Sequence, residues 1–346
     1  MSDNLTKPAE FHGVLELIPS IRLYDYEKVC GAVSETAEYP EEFCLNDVEM
    51  GAIVKEQGDL YSSVIKNQGM VGACVGCATS SAIEALKLRS ALNLELGEEL
   101  TPEMLKDAEG LLFECDEVSE GYTYATCRRP ESTGWGMIVS TALDYLKNQG
   151  TVPKKYFNIL KEMPEIKKIA AKFPELKEVA KNYKIESYAK FNQSGSKKDK
   201  AIKDALMKYR VPLIAVSPRY FGEAHCICIV GWNDKEDTWK IKNSWGKSYG
   251  KNGLADVKRT YITEVYILMD KEIKLPFKDV KEDDWFYSGV KQVFMSDIMN
   301  GRSTDEFVPD GTLTRAEYAV GMARALQKIE ERLDNLNKVL EEKFSK

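Results

Sequence analysis

The sequence predicts an α+β protein, with helices gathered in its first half and strands in its second. Three observations carry this. From Ala78 onward, Ala82, Ala85, Leu86 and Leu88 recur with helical spacing, and residues 138–146 form a second helical stretch that ends at Asn148-Gln149-Gly150, with Gly150 in the C′ position. Residues 158–182 mix Lys and Glu with apolar positions, as an amphipathic helix or two interrupted at Pro164 and Pro174 would. After the polar loop 192–196, short apolar runs at 212–216, 226–230, 238–241 and 261–269 are separated by Gly, Asn and Asp turns and read as strands. Helices followed by strands, rather than alternating with them, place the domain in the α+β class and end it near residue 272. Residues 1–38 are weakly periodic and run into Tyr39-Pro40, a boundary signal, so they read as an extension ahead of that domain.

Composition narrows the function. Of 346 residues, 43% are hydrophobic and 30% charged, ordinary usage for a chain with a packed core. The 48 basic and 55 acidic residues leave a net charge of −7, which offers no general attraction to a phosphate backbone or anionic lipid. Neither nucleic acid nor membrane is expected as a partner. No apolar run reaches the roughly 20 residues of a membrane helix, and residues 1–8 lack the basic and apolar regions of an export signal.

The eight cysteines are too sparse for a disulfide scaffold and read as mostly reduced. Only His12 and His225 are available to any imidazole chemistry. His225 lies in a short apolar strand, where a histidine taken alone reads as a satisfied core residue. The segment from Lys66 to Ala78 is more informative. It sets a glycine-rich loop before a helix with Cys74 at the junction, where unpaired amides and the positive helix end favour thiolate, and a neighbouring imidazolium would favour it further. Gln68, six residues upstream, can set its side-chain amide beside the Cys74 N–H, giving two donors for a tetrahedral oxyanion.

Gln68 and Cys74 at that spacing, then His225, then Asn243-Ser244-Trp245-Gly246 and the glycine-rich run to Gly253, resemble the papain family of cysteine peptidases. The resemblance covers residues 39–272, and Tyr39-Pro40-Glu41-Glu42-Phe43 is similar to the start of the mature enzyme in that family. It implies a two-lobed papain-like fold, with Cys74 on a helical lobe and His225 on a sheet or barrel lobe. It also implies that Asn243 orients the His225 imidazole, that Trp245 shields that hydrogen bond from water, and that Gly134 and Gly136 bind substrate backbone. The chain departs from the family at Val75, where a Trp is usual, and at Val71, where a disulfide cysteine is common; the latter fits a reducing or disulfide-free setting. Cys74-Val75-Gly76-Cys77 together with Cys226 and Cys228 raises a redox or zinc reading. Against it, Cys226 and Cys228 share one face of their strand while His225 points to the other. No metal or organic cofactor is expected, and Cys30, Cys44, Cys77, Cys115 and Cys127 read as core or surface thiols.

Residues 277–325 open on Phe277-Lys278-Asp279-Val280, pass Trp285, Gly301 and Phe307-Val308-Pro309-Asp310-Gly311, and close on Thr314-Arg315-Ala316-Glu317. This resembles one S-layer homology repeat, a helix–loop–helix unit that binds secondary cell-wall polysaccharide and usually comes in threes. Thr314 and Glu317 suit a helix N-cap and its capping box, which leaves Trp285 and Arg315 as the residues for the cell-wall polymer. Beyond it Leu326, Ile329, Leu333, Leu336 and Leu340 form a heptad stripe. Residues 326–346 are therefore an amphipathic or coiled-coil helix that either joins three copies into a homotrimer or folds back on the peptidase.

The domains expected are an extension or pro-like segment (1–38), a papain-like peptidase (39–272), one S-layer homology repeat (273–325) and the terminal helix (326–346). The leading function is a cysteine endopeptidase acting on peptides or proteins, tethered to a cell wall. Two other classes stay open: a wall-binding surface protein on a papain-like scaffold, and an amidase or peptidase acting on peptidoglycan stem peptides. The repeat points to the cell surface, whereas no leader is visible in the sequence.

Overall fold

The computed structural model describes residues 25–30, 33–34, 36–56, 60–107, 117–128, 136–218, 222, 224–270, 275, 277–281, 283–295, 298–303 and 305–344. In chain order the elements begin with α1 (Tyr26–Cys30), β1 (Glu42–Cys44), β2 (Ile53–Glu56), β3 (Leu60–Ser63) and α2 (Cys74–Ala91). Next come α3 (Pro102–Asp107), α4 (Glu120–Thr126), α5 (Val139–Asn148), α6 (Glu165–Ala170), α7 (Leu176–Ala180), β4 (Ser187–Lys190) and α8 (Gly195–Tyr209). The strands β5 (Leu213–Ser217), β6 (His225–Asn233), β7 (Thr238–Lys242), β8 (Leu254–Lys258) and β9 (Glu264–Met269) follow, and then α9 (Tyr287–Met295) and α10 (Arg315–Phe344). The chain divides into two compact units, one holding the described residues from 33 to 270, the other joining 25–30 to 275–344.

The first unit has the expected α+β order. Its sheet runs β4-β9-β5-β6-β7-β8, with β1 added to the far end of β6, and every pairing is antiparallel. Gly231 permits that addition, since a Cβ there would stand 2.1 Å from the Phe43 carbonyl oxygen. Central to the unit is α2, buried around nearly its whole circumference from Cys74 to Leu88 and packed against β6, β5 and β9 as well as α4 and α5. A helix enclosed on all sides belongs in a core, and it fixes Cys74 as firmly as the fold allows. Gly150, at φ +80°, closes α5 by donating to the Leu146 carbonyl at 3.1 Å.

Helix α2 starts at Cys74, the loop–helix junction the sequence indicates, and Pro164 caps α6 while Pro174 precedes α7, so the 158–182 stretch is two short helices. One strand boundary differs from the sequence reading. Strand β9 starts at Glu264 because residues 259–261 turn as a 3-10 helix first.

In the second unit Phe277, Val280, Val290 and Phe294 are buried, with Phe277 edge-on to Phe294 at 4.8 Å and tilted against Phe307 at 5.3 Å. The Asp279 carboxylate accepts the Phe307 and Val308 amides at 2.9 and 2.7 Å, tying the repeat's opening to its central loop. Thr314 and Glu317 form the capping box: the Thr314 hydroxyl oxygen accepts the Glu317 amide at 3.2 Å, and Glu317 accepts the Thr314 amide at 2.8 Å. From there α10 continues unbroken across the boundary expected at residue 325, with Met322, Leu326 and Ile329 exposed. The side chains of Leu333, Leu336 and Leu340 lie outside the described residues.

Part of the N-terminal extension joins this second unit. Lys28 Nζ donates to the Phe294 carbonyl at 2.7 Å and to Asn300 Oδ1 at 3.3 Å, and lies 4.6 Å above the Phe294 ring. No described helix is long and apolar enough to cross a membrane.

Candidate active site

Cys74 is the first residue of α2, and Ala73 before it supplies no side-chain cap. The first-turn amides are therefore left for another acceptor. The backbone amides of Cys226, at the start of the strand that His225 opens, and of Val75 and Cys74 itself lie close enough to the Cys74 sulfur to favour its thiolate. On the neighbouring strand, β7 pairs Lys242 with Cys228, and the next residue, Asn243, reaches across to His225 with its side chain.

His225 Nε2 and Asn243 Oδ1 are 2.8 Å apart, and the Ser244 amide also meets Asn243 Oδ1, at 2.7 Å. A backbone N–H only donates, so the atom it meets is the oxygen. His225 Nε2 is thus the protonated nitrogen, and Nδ1 is the atom that can take up a further proton. Trp245 stacks on the imidazole at 5.0 Å and 29°, and Tyr249 sits edge-on behind Trp245 at 5.1 Å.

Gln68 enters through the opposite loop. Its amide donates to the Ser244 carbonyl at 2.9 Å, Gly246 donates back to the Lys66 carbonyl at 3.0 Å, and Asn67 bridges to Trp245. Segment 66–68 is in this way zipped onto 244–246. The Gln68 carboxamide is held at both ends: its oxygen accepts the Ser244 hydroxyl at 2.5 Å, and Nε2 donates to the Val71 carbonyl at 2.7 Å. A primary amide nitrogen carries two hydrogens, so one N–H is committed to Val71 and the second is left for a ligand. Ser244, which the sequence reading passed over, joins both halves of the site; the only signal for it was its place between Asn243 and Trp245.

Cys74, His225, Gln68 and Asn243 are all buried. Burial pushes the Cys74 thiol up to about 12, although the amides of Cys226 and Val75 pull the other way. Burial likewise lowers His225 to about 4, against the Asn243 hydrogen bond. Burial thus disfavours both the thiolate and the imidazolium, opposing the backbone amides at the helix start.

The remaining expected residues are dispersed. Gly136 is buried at φ +82°, and its neighbour Met137 places its terminal methyl 3.6 Å from where a Cβ on Gly76 would lie, which sets this turn against the first turn of α2. Gly134 lies outside the described residues, as does Cys115. Trp285, 92% exposed, and Arg315, the first residue of α10, belong to the second unit. Cys30, Cys44, Cys74, Cys77, Cys127, Cys226 and Cys228 are free thiols, and no group among the described residues could hold a metal ion.

A cysteine at an uncapped helix start, and an imidazole whose tautomer an amide oxygen sets, give the class: an α+β protein with a cysteine, a histidine and an asparagine at the expected places. Residues 55–274 match the model of the papain family cysteine proteases, and the chain belongs to that family. Residues 276–319 match the S-layer homology domain. The fold is shared with xylellain, a cysteine protease from Xylella fastidiosa, at 16% identity over 77% of this chain and 98% of that one, with a TM-score of 0.53. A digestive procathepsin proteinase from the larval midgut of Tenebrio molitor is similar at 18% identity over 76% of this chain and 81% of that one, with a TM-score of 0.49. An uncharacterized peptidase C1-like protein of Acanthamoeba polyphaga mimivirus is 35% identical over 46 residues, 13% of this chain; the match spans only 15% of that relative's length.

Proposed function

We propose that the protein is a cysteine endopeptidase whose mechanism runs through Cys74, His225, Asn243 and Gln68. The observation that carries this reading is the His225 Nε2 to Asn243 Oδ1 hydrogen bond at 2.8 Å under the Trp245 ring. It leaves Nδ1 as the working nitrogen of the imidazole. His225 takes the Cys74 proton on Nδ1, and the sulfur attacks the peptide carbonyl, forming a C–S bond. The oxyanion takes the Cys74 amide and the second Gln68 N–H. As the C–N bond breaks, His225 gives its proton to the leaving amine. A water then attacks the thioester with His225 as base, releasing the carboxylic acid and restoring the thiol. Asn243 keeps the imidazole in the required tautomer, and Trp245 excludes water from that bond. Gly136, with Gly134, is assigned to the substrate backbone.

The S-layer homology unit supports tethering to a cell-wall polysaccharide, with the exposed Trp285 ring stacking on sugar and Arg315 meeting an anionic substituent. The heptad stripe, whose first members are exposed on α10, supports a homotrimer that assembles three single repeats.

The test is labelling with an epoxide or vinyl-sulfone thiol reagent under reducing conditions, with the modified residue mapped by mass spectrometry. Stoichiometric labelling of Cys74 that collapses in His225→Ala supports the reading; labelling that is spread over several cysteines or indifferent to His225 overturns it. Loss of binding to purified wall polysaccharide in Trp285→Ala and Arg315→Ala tests the tether, and a single-chain mass in sedimentation equilibrium at micromolar concentration would sink the trimer.

A further inference from the structure

Three buried charges that the mechanism above does not use lie behind the site. Glu84 sits on α2 ten residues after Cys74, about 15 Å along the helix axis and away from any reacting atom. It is 2% exposed, yet its carboxylate is fully engaged. Oε1 accepts Lys66 Nζ at 2.5 Å and the Val118 amide at 2.7 Å, and Oε2 accepts the Ala52 amide at 3.0 Å. Lys242, also buried, donates to the Met50 carbonyl at 2.7 Å. Both groups crowd the same point above Gly51. A Cβ there would stand 3.1 Å from Glu84 Oε2 and 3.2 Å from Lys242 Nζ, and φ +142° independently calls for glycine.

The two lysines occupy telling positions. Lys66 is two residues before Gln68, on the segment zipped to 244–246, and Lys242 immediately precedes Asn243. A small cavity behind the site is lined by Lys66, Lys242, Asn243, Ser244, Cys77 and Cys226, so the charged groups and the site share one wall. A second layer surrounds Lys66, with Glu117 and Glu120 each at 3.8 Å and Lys154 bonded to both at 3.0 Å.

We infer that Glu84 is a positioning residue: one carboxylate on the nucleophile's helix that holds the Gln68 loop through Lys66. The inference rests on the peptidase reading above. Its physical ground is that burying such charges is a poor route to stability, since an apolar set of similar volume usually does as well or better. What the charges supply is directional registry between three separate pieces of chain. The electrostatics agree. Burial disfavours the Lys66 cation, but Glu84 and Glu120 outweigh it and raise the group, whereas burial lowers Lys242 to about 8 with Glu84 opposing. The carboxylate's ion-pair partner is Lys66, while Lys242 lies near it without a direct bond.

The experiment uses the full chain, with Cys74→Ala as reference and turnover of a fluorogenic peptide as the readout. Glu84→Gln keeps size and removes charge. The expected result is a fall in kcat of about tenfold with KM within about twofold, because a small displacement of oriented groups is felt in the transition state rather than in substrate binding. A solely structural role predicts independent losses. A positioning role predicts that Glu84→Gln combined with Gln68→Ala loses no more than about twofold beyond Gln68→Ala alone. Unchanged kcat in a Glu84→Gln protein with native circular dichroism, or full additivity with Gln68→Ala, overturns the inference. If Glu84→Gln does not fold, Lys66→Met takes its place against Gln68→Ala under the same criterion. Equal turnover by the native chain and Cys74→Ala would instead remove the peptidase reading and this inference with it.

Discussion

The Ser244 hydroxyl donates to the Gln68 carboxamide oxygen at 2.5 Å, while the Ser244 amide donates to Asn243 Oδ1 at 2.7 Å. One residue therefore sets the rotamer of the oxyanion-loop glutamine and backs the group that orients the imidazole. The two halves of the site are joined through it as well as through the protein around them.

Ser244→Ala is expected to lower kcat by about threefold to tenfold with little change in KM, since the Gln68 amide keeps its Val71 partner but loses the bond that fixes its oxygen. Gln68→Ala removes the donor itself and is expected to cost on the order of a hundredfold. Steady-state kinetics on one peptide substrate give both numbers. Equal losses in the two variants would show that the Gln68 amide does not contribute as a donor.

Asn243→Ala is expected to reduce kcat/KM by about a hundredfold or more, because His225 then keeps Nε2–H buried without the oxygen that holds its tautomer. Asn243→Gln, a longer amide, should recover little of this if orientation is what matters. Both are read in kcat/KM across pH 5–9.

Stability should carry a histidine signature. Burial holds His225 at about 4 in the folded protein against 6.5 for the ordinary group. Between those values the unfolded chain binds the extra proton and the folded chain does not, so this group's contribution to stability is lost as pH falls from 6.5 toward 4. Urea midpoints for the native chain should decline over that window, and His225→Gln should flatten the decline. An identical slope in both proteins would assign the acid sensitivity elsewhere.

Thr314→Ala should destabilise the second unit by about 1 kcal/mol through loss of the capping box, and Lys28→Ala by a similar amount through the Phe294 carbonyl and ring. Neither should alter Cys74 labelling. Thermal unfolding followed alongside thiol labelling separates the two effects.

The candidate residues stand out in the sequence because each sits in a short local motif: Gln68 on the loop that leads into α2 at Cys74, Asn243 two residues before Trp245. What was not legible is tertiary. The start of α2 at Cys74 was legible from the glycine-rich loop before it, but its burial was not: packing against β6 and α4 encloses a first turn that has no capping side chain ahead of it. Strand β4, only four residues long with Lys190 at its end, carries little period-two signal and is defined by its pairing to β9. Nothing local in the sequence joins Lys66 to Glu84, eighteen positions on, and only the fold reveals the pair. The shifts of Cys74 and His225 come from burial, which no motif encodes.

The bond between Lys28 and Phe294 joins positions 266 apart, so the papain-like unit is inserted within the chain of the S-layer homology unit. Both ends of the inserted stretch are thus held by one small body, and loosening of that body would free the two ends together rather than one at a time.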